Sequence, residues 1–289
     1  MATLEHELAV ATAAVKVAGA TVRDLYERAA AASYTKGDGS PVTDADLAAD
    51  RIIRGALRSA FPTDAILTEE GADDQSRLAA ARCWVVDPID GTQQFVDRTG
   101  EFDVLIALVE DGRPTLGVLY QPTTDTLLAA ATGLGAWIER AGERQPLHFA
   151  PVQPDEAPRL MTSFWFGAPD NLPLLQRAAD RLGAGAPSTS PLGVTVRHFV
   201  PPIHRADALV GFYVNGRPSM AWEWDFAAPE VVVREAGGLV TDVWGRPHRY
   251  NKPDPRNVGG IVLSVDPLTH QRVLDALRPE VGDPPRTKD

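Results

Sequence analysis

Apolar residues recur every three or four positions over residues 4–32, which predicts one long amphipathic helix. Two glycines and a proline in TKGDGSP, residues 35–41, then end the helical pattern. The pattern resumes from Asp44 to Ala60 and predicts a second helix. Each segment has an apolar stripe that would pack against a core.

Short apolar runs follow these helices and predict strands. The runs are AILTEE (65–70), RCWVVD (82–87), FDVLIALVEDG (102–112), PTLGVLYQP (114–122), TLLAAAT (126–132) and GAWIER (135–140). The turn EDGR joins the third and fourth runs into a predicted hairpin. Residues 1–150 are therefore expected to form an α+β lobe, with helices flanking an antiparallel meander.

A polar, proline-rich stretch at 150–159 predicts the boundary of this lobe. Beyond it, over residues 151–278, strands and helices alternate, which is typical of an α/β lobe. The helix DFAAPEVVVREAGG, residues 225–238, is expected to belong to this second lobe. The tail at 279–289, PEVGDPPRTKD, is expected to be disordered.

The charge balance restricts the partners. Lys and Arg total 28 against 39 Asp and Glu, and the formal charge of -11 disfavours nucleic acid and anionic membranes. No apolar run reaches the roughly 18 residues of a membrane span, and the N-terminus has no basic region of a signal peptide. The single Cys83 excludes an intramolecular disulfide and is expected to be a buried strand thiol. These features favour a cytoplasmic protein, and an anionic substrate would require a local cation.

The stretch VVDPIDGTQQF, residues 85–95, carries the first candidate chemistry. Pro88 would force a turn that can bring the carboxylates of Asp87 and Asp90 to the same side. The next helix would begin with free backbone N–H groups, which can bind a phosphate. These groups belong to Gly91, Thr92 and Gln93. A capped turn without any ligand is the alternative, because Asp-Pro and Asp-Gly are common turn dipeptides.

Further acidic residues stand at predicted strand ends and helix starts. Glu69 and Glu70 end one strand, Asp225 precedes a helix, and Asp46 follows Thr43 by three residues. Simple helix capping by Asp46 and Asp225 is the alternative for these two. Taken together, oxygen ligands without His or Cys favour Mg²⁺ over zinc.

Two of these stretches resemble signatures of the inositol monophosphatase superfamily. DPIDGTQQF is similar to its Asp-Pro-x-Asp-Gly-Thr-x-x-Phe signature, and WDFAAPEVVVREAGG to its Trp-Asp-x-Ala signature with a later Glu-Ala-Gly-Gly. LTEEG and PVTDAD stand at suitable distances before the first signature, and the likeness spans roughly residues 5 to 275. The resemblance implies a layered αβαβα sandwich and an Mg²⁺-dependent phosphomonoesterase.

The resemblance also implies roles for individual residues. The ligands of two or three Mg²⁺ ions would be Glu69, Asp87, the Ile89 carbonyl, Asp90 and Asp225. Thr92, paired with Asp46, would help Glu69 activate the attacking water. The residues implied in binding phosphate or substrate are Gly91, Thr92, Gln93 and Glu101, with Arg197 and Arg205 as candidates for a second phosphate.

The substrate is expected to be a small phosphorylated metabolite. TGEF (99–102) and RYNKPDPRN (249–257) look most like the 3'(2'),5'-bisphosphate nucleotidase branch, so 3'-phosphoadenosine 5'-phosphate is the first candidate. The segment 188–223 departs from that branch and leaves inositol, sugar or histidinol phosphates, or a substrate of a specialised biosynthetic pathway, as alternatives. Arg217 and Lys252 are further candidates for a second phosphate.

Two other properties stay open at this point. A binding protein on the same fold without catalytic activity is an alternative that the intact acidic set disfavours. The superfamily includes dimers, so a homodimer is compatible with the resemblance.

Overall fold

The computed structural model describes residues 4–29, 31–37, 39, 41–163, 171–190, 192–193, 196–201, 203–212 and 221–284. Within them the helices are α1 (Glu5–Glu27), α2 (Asp44–Ala60), α3 (Thr92–Val96), α4 (Leu172–Arg181), α5 (Glu223–Glu235) and α6 (Pro267–Val281). The strands of the first half are β1 (Ser33–Thr35), β2 (Pro41–Thr43), β3 (Ala65–Thr68), β4 (Arg82–Asp90), β5 (Asp103–Glu110), β6 (Arg113–Gln121), β7 (Thr126–Ala131), β8 (Gly135–Arg140) and β9 (Glu143–Leu147). Those of the second half are β10 (Leu160–Ser163), β11 (Ser188–Ser190), β12 (Ala208–Gly211), β13 (Leu239–Thr241) and β14 (Ile261–Ser264).

The chain divides into two compact units. The first comprises Met1–Leu147, Glu223–Glu235 and Arg249–Pro255, and the second comprises the intervening segments and the C-terminal residues. The structure therefore differs from the expected division in two respects, because Glu223–Glu235 and Arg249–Pro255 were both expected in the second lobe. Helix α5, which carries Asp225, packs with the first unit although it follows the predicted boundary by more than seventy residues.

A seven-stranded sheet in the order β3-β4-β5-β6-β7-β8-β9 forms the centre of the first unit. Strand β3 runs parallel to β4, and every later neighbour is antiparallel. Successive side chains of a strand point to opposite faces. Trp84, Ile106 and Val118 belong to the core that includes α1 and α2, whereas a Cβ at Gly117 would meet the backbone of Ala228 in α5 at 2.4 Å.

Helices thus cover both faces of this sheet. That arrangement explains why the strand sequences read as continuous apolar runs such as VLIALV rather than as an alternating pattern. The predicted meander and both predicted helices are present. Helix α1 is shorter than expected and ends at Glu27. Strands β1, β2 and β9 of the first half were not expected from the sequence. Strand β9 reads ERQPL, whose proline and charges suit the edge of a sheet.

Strand β4 contains the irregularity that matters for the site. It continues through Pro88 to Asp90, where a turn after Asp87 was expected. Asp87 pairs with Leu105 and Asp90 pairs with Asp103, so three steps along β4 match two steps along β5. Such a β-bulge inserts one extra residue. Side chains three apart in a regular strand point to opposite faces, and the extra residue lets Asp87 and Asp90 share one side.

The second unit is built on a five-stranded sheet in the order β11-β10-β12-β14-β13. Strand β10 is parallel to β11 and β12, and β14 is antiparallel to its two neighbours. Helices α4 and α6 pack with this sheet around one apolar cluster. The disorder expected from residue 279 is wrong for its first residues, because α6 continues to Val281; residues 285–289 lie outside the described residues.

No helix in the part of the chain that the structure describes is both long and apolar enough to cross a membrane. Cys83 is a buried thiol in β4, as expected.

A buried carboxyl group on α5 gives a testable pH dependence. Burial raises the pKa of Glu230 from 4.5 to about 7, although a hydrogen bond from the Tyr250 hydroxyl and the nearby Arg234 favour the charged form. The two oxygens of the Glu230–Tyr250 hydrogen bond are 2.6 Å apart. A carboxyl group whose pKa is higher in the folded state stabilises the fold below its unfolded pKa. That stabilisation is lost as the pH rises towards and through 7.

We therefore expect the free energy of unfolding of Glu230→Gln to rise relative to that of wild type as the pH increases from 4 to 8. The expected difference is on the order of 3 kcal/mol at most. Urea unfolding at several pH values in the presence of EDTA measures this difference. Glu235→Gln, on the same helix, is the matched control and should leave the pH dependence of wild type unchanged. An identical pH profile for Glu230→Gln and wild type would contradict the assignment.

Candidate active site

Three aspartates converge in the first unit. Ligand-type oxygens of Asp87, Asp90 and Asp225 all lie within 4.8 Å of one another. Asp87 and Asp90 are buried on either side of the bulge in β4, and Asp225 is half-buried in the first turn of α5. Because α5 begins at Glu223, Asp225 lies inside the helix and does not cap it, which removes the capping alternative.

The electrostatics of this cluster are unfavourable without a cation. Burial raises the pKa of Asp87 well above its usual value, and the charges of Glu69, Asp90 and Asp225 raise it further. The backbone N–H of Ile89 donates to Asp87 at 3.0 Å and fixes that carboxylate. Several buried carboxylate oxygens at this spacing are the donor set that a hard divalent cation requires. The residues therefore fit magnesium.

Glu69 and Glu70 follow the end of β3. The Glu69 backbone N–H donates to the Val86 carbonyl at 3.2 Å, which ties it to β4 just before Asp87. The ammonium of Lys36, in the loop between β1 and β2, lies 2.6 Å from Glu69 and 2.8 Å from Glu70. Burial opposes the charged form of Lys36, but the two carboxylates outweigh it and raise the pKa of its ammonium. Burial also raises the pKa of Glu70 to about 7.

Asp46 has two structural roles at once. It forms the expected capping box with Thr43: its carboxylate accepts from the Thr43 backbone N–H at 2.8 Å and from the Thr43 hydroxyl at 2.5 Å. Its other oxygen lies 3.0 Å from the Thr92 hydroxyl. Asp46 is fully buried, and burial raises the pKa of its carboxyl group against these hydrogen bonds. Capping and pairing with Thr92 are therefore compatible.

Other predicted site residues lie where β4 ends and α3 begins. The Thr92 hydroxyl lies 3.1 Å from the Ile89 carbonyl oxygen, so this carbonyl is next to the Asp46–Thr92 pair. Gly91 precedes α3 with φ of 96°, a left-handed conformation that glycine adopts without strain. Gln93 is the second residue of α3 and donates to Asp97 at 2.9 Å. Glu101 lies in the loop before β5.

The cations proposed for a second phosphate have different surroundings. Arg197 is buried in a 3₁₀ turn and Arg205 is exposed, both in the second unit. Arg217 lies outside the described residues. The Lys252 ammonium, in the first unit, is 2.5 Å from the fully buried Glu223 carboxylate and 2.7 Å from the Arg249 carbonyl oxygen.

Lys36 and Glu223 were not predicted from the sequence as residues near the site. Lys36 lies in TKGDGSP, where the glycines and the proline predict a turn and nothing in the pattern indicates an ion pair. Glu223 precedes Asp225 by two residues, and its burial depends on contacts with residues 251 and 252. No local pattern signals such a contact.

The chain is similar to known proteins over most of its length. A profile of the inositol monophosphatase family matches residues 3–281. The chain is 32% identical over 237 residues to the 3'(2'),5'-bisphosphate nucleotidase CysQ of Aggregatibacter actinomycetemcomitans, covering 81% of this chain and 84% of that protein. It is 30% identical over 286 residues to the Nus factor SuhB of Salmonella typhimurium, covering 96% and 97% of the two chains.

Solved structures agree with the sequence comparisons. The chain is similar to CysQ from Bacteroides thetaiotaomicron, a bacterial member of the inositol monophosphatase family, with 27% identity and a TM-score of 0.72. The comparison covers 90% of this chain and 97% of that structure. The expected fold class is thereby confirmed.

Proposed function

The chain belongs to the inositol monophosphatase family, and from that premise we propose that its substrate is a phosphorylated nucleoside, with 3'-phosphoadenosine 5'-phosphate as the first candidate. Family membership makes the protein a magnesium-dependent phosphatase that hydrolyses phosphoric monoesters. The observation that supports this chemistry in the structure is the convergence of Asp87, Asp90 and Asp225. The proposed site of action is the cytoplasm.

The proposed ligands are Glu69, Asp87, the Ile89 carbonyl, Asp90 and Asp225, with two or three ions as the expected number. When bound, magnesium supplies charge neutralisation of the phosphate, a stronger nucleophile and stabilisation of the leaving oxygen. The acidic residues hold that positive charge next to an anionic ester which the formal charge of -11 would otherwise repel.

The protein's own groups can manage the proton of the attacking water. The Thr92 hydroxyl has one hydrogen and two acceptors nearby, the Asp46 carboxylate at 3.0 Å and the Ile89 carbonyl at 3.1 Å. A carboxylate is the stronger acceptor. Donation to Asp46 leaves the Thr92 oxygen as an acceptor for a proton from water. We assign Glu69 as the second group that accepts from this water, and the N–H groups of Gly91, Thr92 and Gln93 to the phosphate.

The substrate class rests on two supports. A relative that carries the nucleotidase name is 32% identical over most of both chains, and TGEF and YNK resemble that branch. Glu101, Arg197 and Arg205 remain proposed contacts for the nucleoside and its second phosphate. Inositol monophosphate is the second candidate, because the family profile that matches residues 3–281 carries the name inositol monophosphatase.

A phosphate-release assay over a panel of substrates tests the proposal. With Mg²⁺ present, we expect kcat/KM for 3'-phosphoadenosine 5'-phosphate to exceed that for inositol 1-phosphate, a sugar phosphate and histidinol phosphate by about tenfold or more, a difference of about 1.4 kcal/mol. EDTA should abolish turnover, and added Mg²⁺ should restore it.

The possible outcomes separate chemistry from specificity. Faster hydrolysis of inositol 1-phosphate or a sugar phosphate would make the nucleotide assignment wrong and leave the metal chemistry standing. No turnover of any compound with Mg²⁺ would instead favour a binding protein on this fold.

A further inference from the structure

The segment Arg249–Pro255, here called the strap, contacts the beginning of α5 and the 3₁₀ turn that contains Arg77. It belongs to the first unit although its neighbours in sequence belong to the second. Tyr250 donates its backbone N–H to the Gly112 carbonyl at 3.1 Å, and the Pro255 carbonyl accepts from the Glu223 N–H at 2.8 Å. Asn251 has a φ of 55°, a left-handed conformation that asparagine tolerates better than most residues. The strap is thus a built element with a defined backbone.

On one side the strap holds the beginning of α5. The fully buried Glu223 carboxylate accepts from the Asn251 N–H at 2.6 Å, the Lys252 N–H at 3.0 Å and the Lys252 ammonium at 2.5 Å. A buried carboxylate is costly unless such donors satisfy it. Asp225 follows Glu223 by two residues in the same helical turn. The position of Asp225 is therefore linked to the strap.

On the other side the strap contacts Arg77, which lies in a 3₁₀ turn eight residues after Glu69. The Arg77 guanidinium, 3% exposed, donates to the Asn251 side-chain oxygen at 2.7 Å and to the Lys252 carbonyl at 2.8 Å. The Asn251 side-chain N–H returns a hydrogen bond to the Arg77 carbonyl at 3.2 Å. Asp73 holds the same guanidinium in place, with contacts of 2.9 and 3.1 Å.

We propose that the strap is a positioning device that fixes the spacing between residues 69–77 and Asp225, and through it the affinity for magnesium. This inference rests on the proposed function. The charges of Glu69 and Asp225 both raise the pKa of Asp87, so each of them repels the Asp87 carboxylate when no cation is bound. The hydrogen bonds of Asn251 and Lys252 oppose that repulsion and keep the ligands at binding distance. Lys252 is accordingly a positioning residue and not a phosphate contact.

Two variants of the full-length protein test the strap by direct magnesium titration in a calorimeter. Asn251→Gly changes no charge, tolerates the left-handed backbone and removes both side-chain hydrogen bonds with Arg77. We expect it to weaken magnesium binding about tenfold, the usual loss when a group that orients metal ligands is removed. The magnesium concentration for half-maximal activity should rise by the same factor, with little change in kcat at saturating magnesium.

Lys252→Gln separates positioning from electrostatics by the sign of its effect. Removal of a positive charge near the carboxylates would strengthen magnesium binding if charge alone mattered. The strap predicts weaker binding, because Glu223 loses its ammonium partner. Arg82→Met is the control for general destabilisation: it removes ion pairs with Glu7, Asp64 and Glu110 elsewhere in the unit. It should lower the melting temperature in EDTA and leave magnesium affinity unchanged.

The outcomes distinguish this inference from the one on which it rests. If wild type binds magnesium and both strap variants bind it equally well or better, the strap does not position the site, and the proposed function stands. Weakening by Arg82→Met to the same extent would also overturn the inference. If wild type neither binds magnesium nor releases phosphate, the proposed function fails and the inference falls with it.

Discussion

Asp90→Asn is expected to lower kcat for phosphate release by roughly a thousandfold or more, a loss of about 4 kcal/mol of transition-state stabilisation. The change keeps the size and most of the hydrogen-bonding capacity of the side chain, so the fold should persist. Asp90 is buried beside Asp87 and Asp225. A neutral amide in its place removes one negative charge from the proposed magnesium ligands, and hydrolysis of the substrate requires the bound magnesium.

The same variant should show the opposite effect on stability when magnesium is removed. The charge of Asp90 is one cause of the raised pKa of Asp87, which means that the two carboxylates repel each other in the folded protein. Neutralising one of them relieves that repulsion. In EDTA we expect Asp90→Asn to melt at a higher temperature than wild type. In excess Mg²⁺ the wild-type protein should gain more stability than the variant, because ligand binding stabilises in proportion to affinity.

Thermal melts with and without Mg²⁺, together with phosphate release, measure both effects. Asp97→Asn is the control. Asp97 is exposed and directly follows the last residue of α3. Among the contacts that the structure describes, its side chain accepts one exposed hydrogen bond, from the Gln93 side chain. It should behave as wild type in both assays. Full activity of Asp90→Asn would remove Asp90 from the site. A lower melting temperature in EDTA would show that its charge stabilises the fold by some other contact.

Local sequence patterns were sufficient to predict α2 and β4, which carry several residues of the proposed site. The capping box of α2 depends on Thr43 and Asp46, three residues apart, and the structure contains it. The apolar run before Asp87 indicates a buried strand, and β4 is one. Such features depend on residues close together in the chain, and their physical causes act over the same short range.

The bulge and the place of α5 could not be derived in this way. A bulge depends on the register between β4 and β5, so Pro88 alone suggests a turn as readily as an irregular strand. Helix α5 packs against Gly117, more than one hundred residues earlier in the chain. Sequence position suggested the second lobe, whereas the missing side chain of Gly117 makes room for α5 in the first unit.

Thr92 and Asp46 provide the second test of the chemistry. Thr92→Ala should lower kcat about a hundredfold or more, within the range for loss of a group that transfers protons. KM for the substrate should change little, because the hydroxyl acts in the transition state. Thr92→Ser keeps the hydroxyl and is expected to retain most of the activity. An effect on KM alone would make Thr92 a binding residue.

Asp46→Asn distinguishes helix capping from catalysis. Thr43 is the N-cap of α2 and Asp46 is its capping-box partner; an Asn in place of Asp46 keeps a side-chain oxygen that can accept from the Thr43 N–H, which now lies 2.8 Å from the carboxylate. If Asp46 only caps α2, both melting temperature and kcat should stay close to wild type. If its carboxylate also takes the Thr92 proton across the 3.0 Å contact, kcat should fall while melting changes little.

The double variant Thr92→Ala/Asp46→Asn gives the decisive comparison. Residues that act as a unit lose their joint contribution when either one is removed, so the second substitution should cost little more. We expect kcat of the double variant to lie within a few-fold of the slower single variant. Multiplicative losses would mean that Thr92 and Asp46 act independently, and the proton path from water through the Thr92 hydroxyl to Asp46 would then be wrong. In that case Glu69 would remain as the assigned acceptor for the proton of the attacking water.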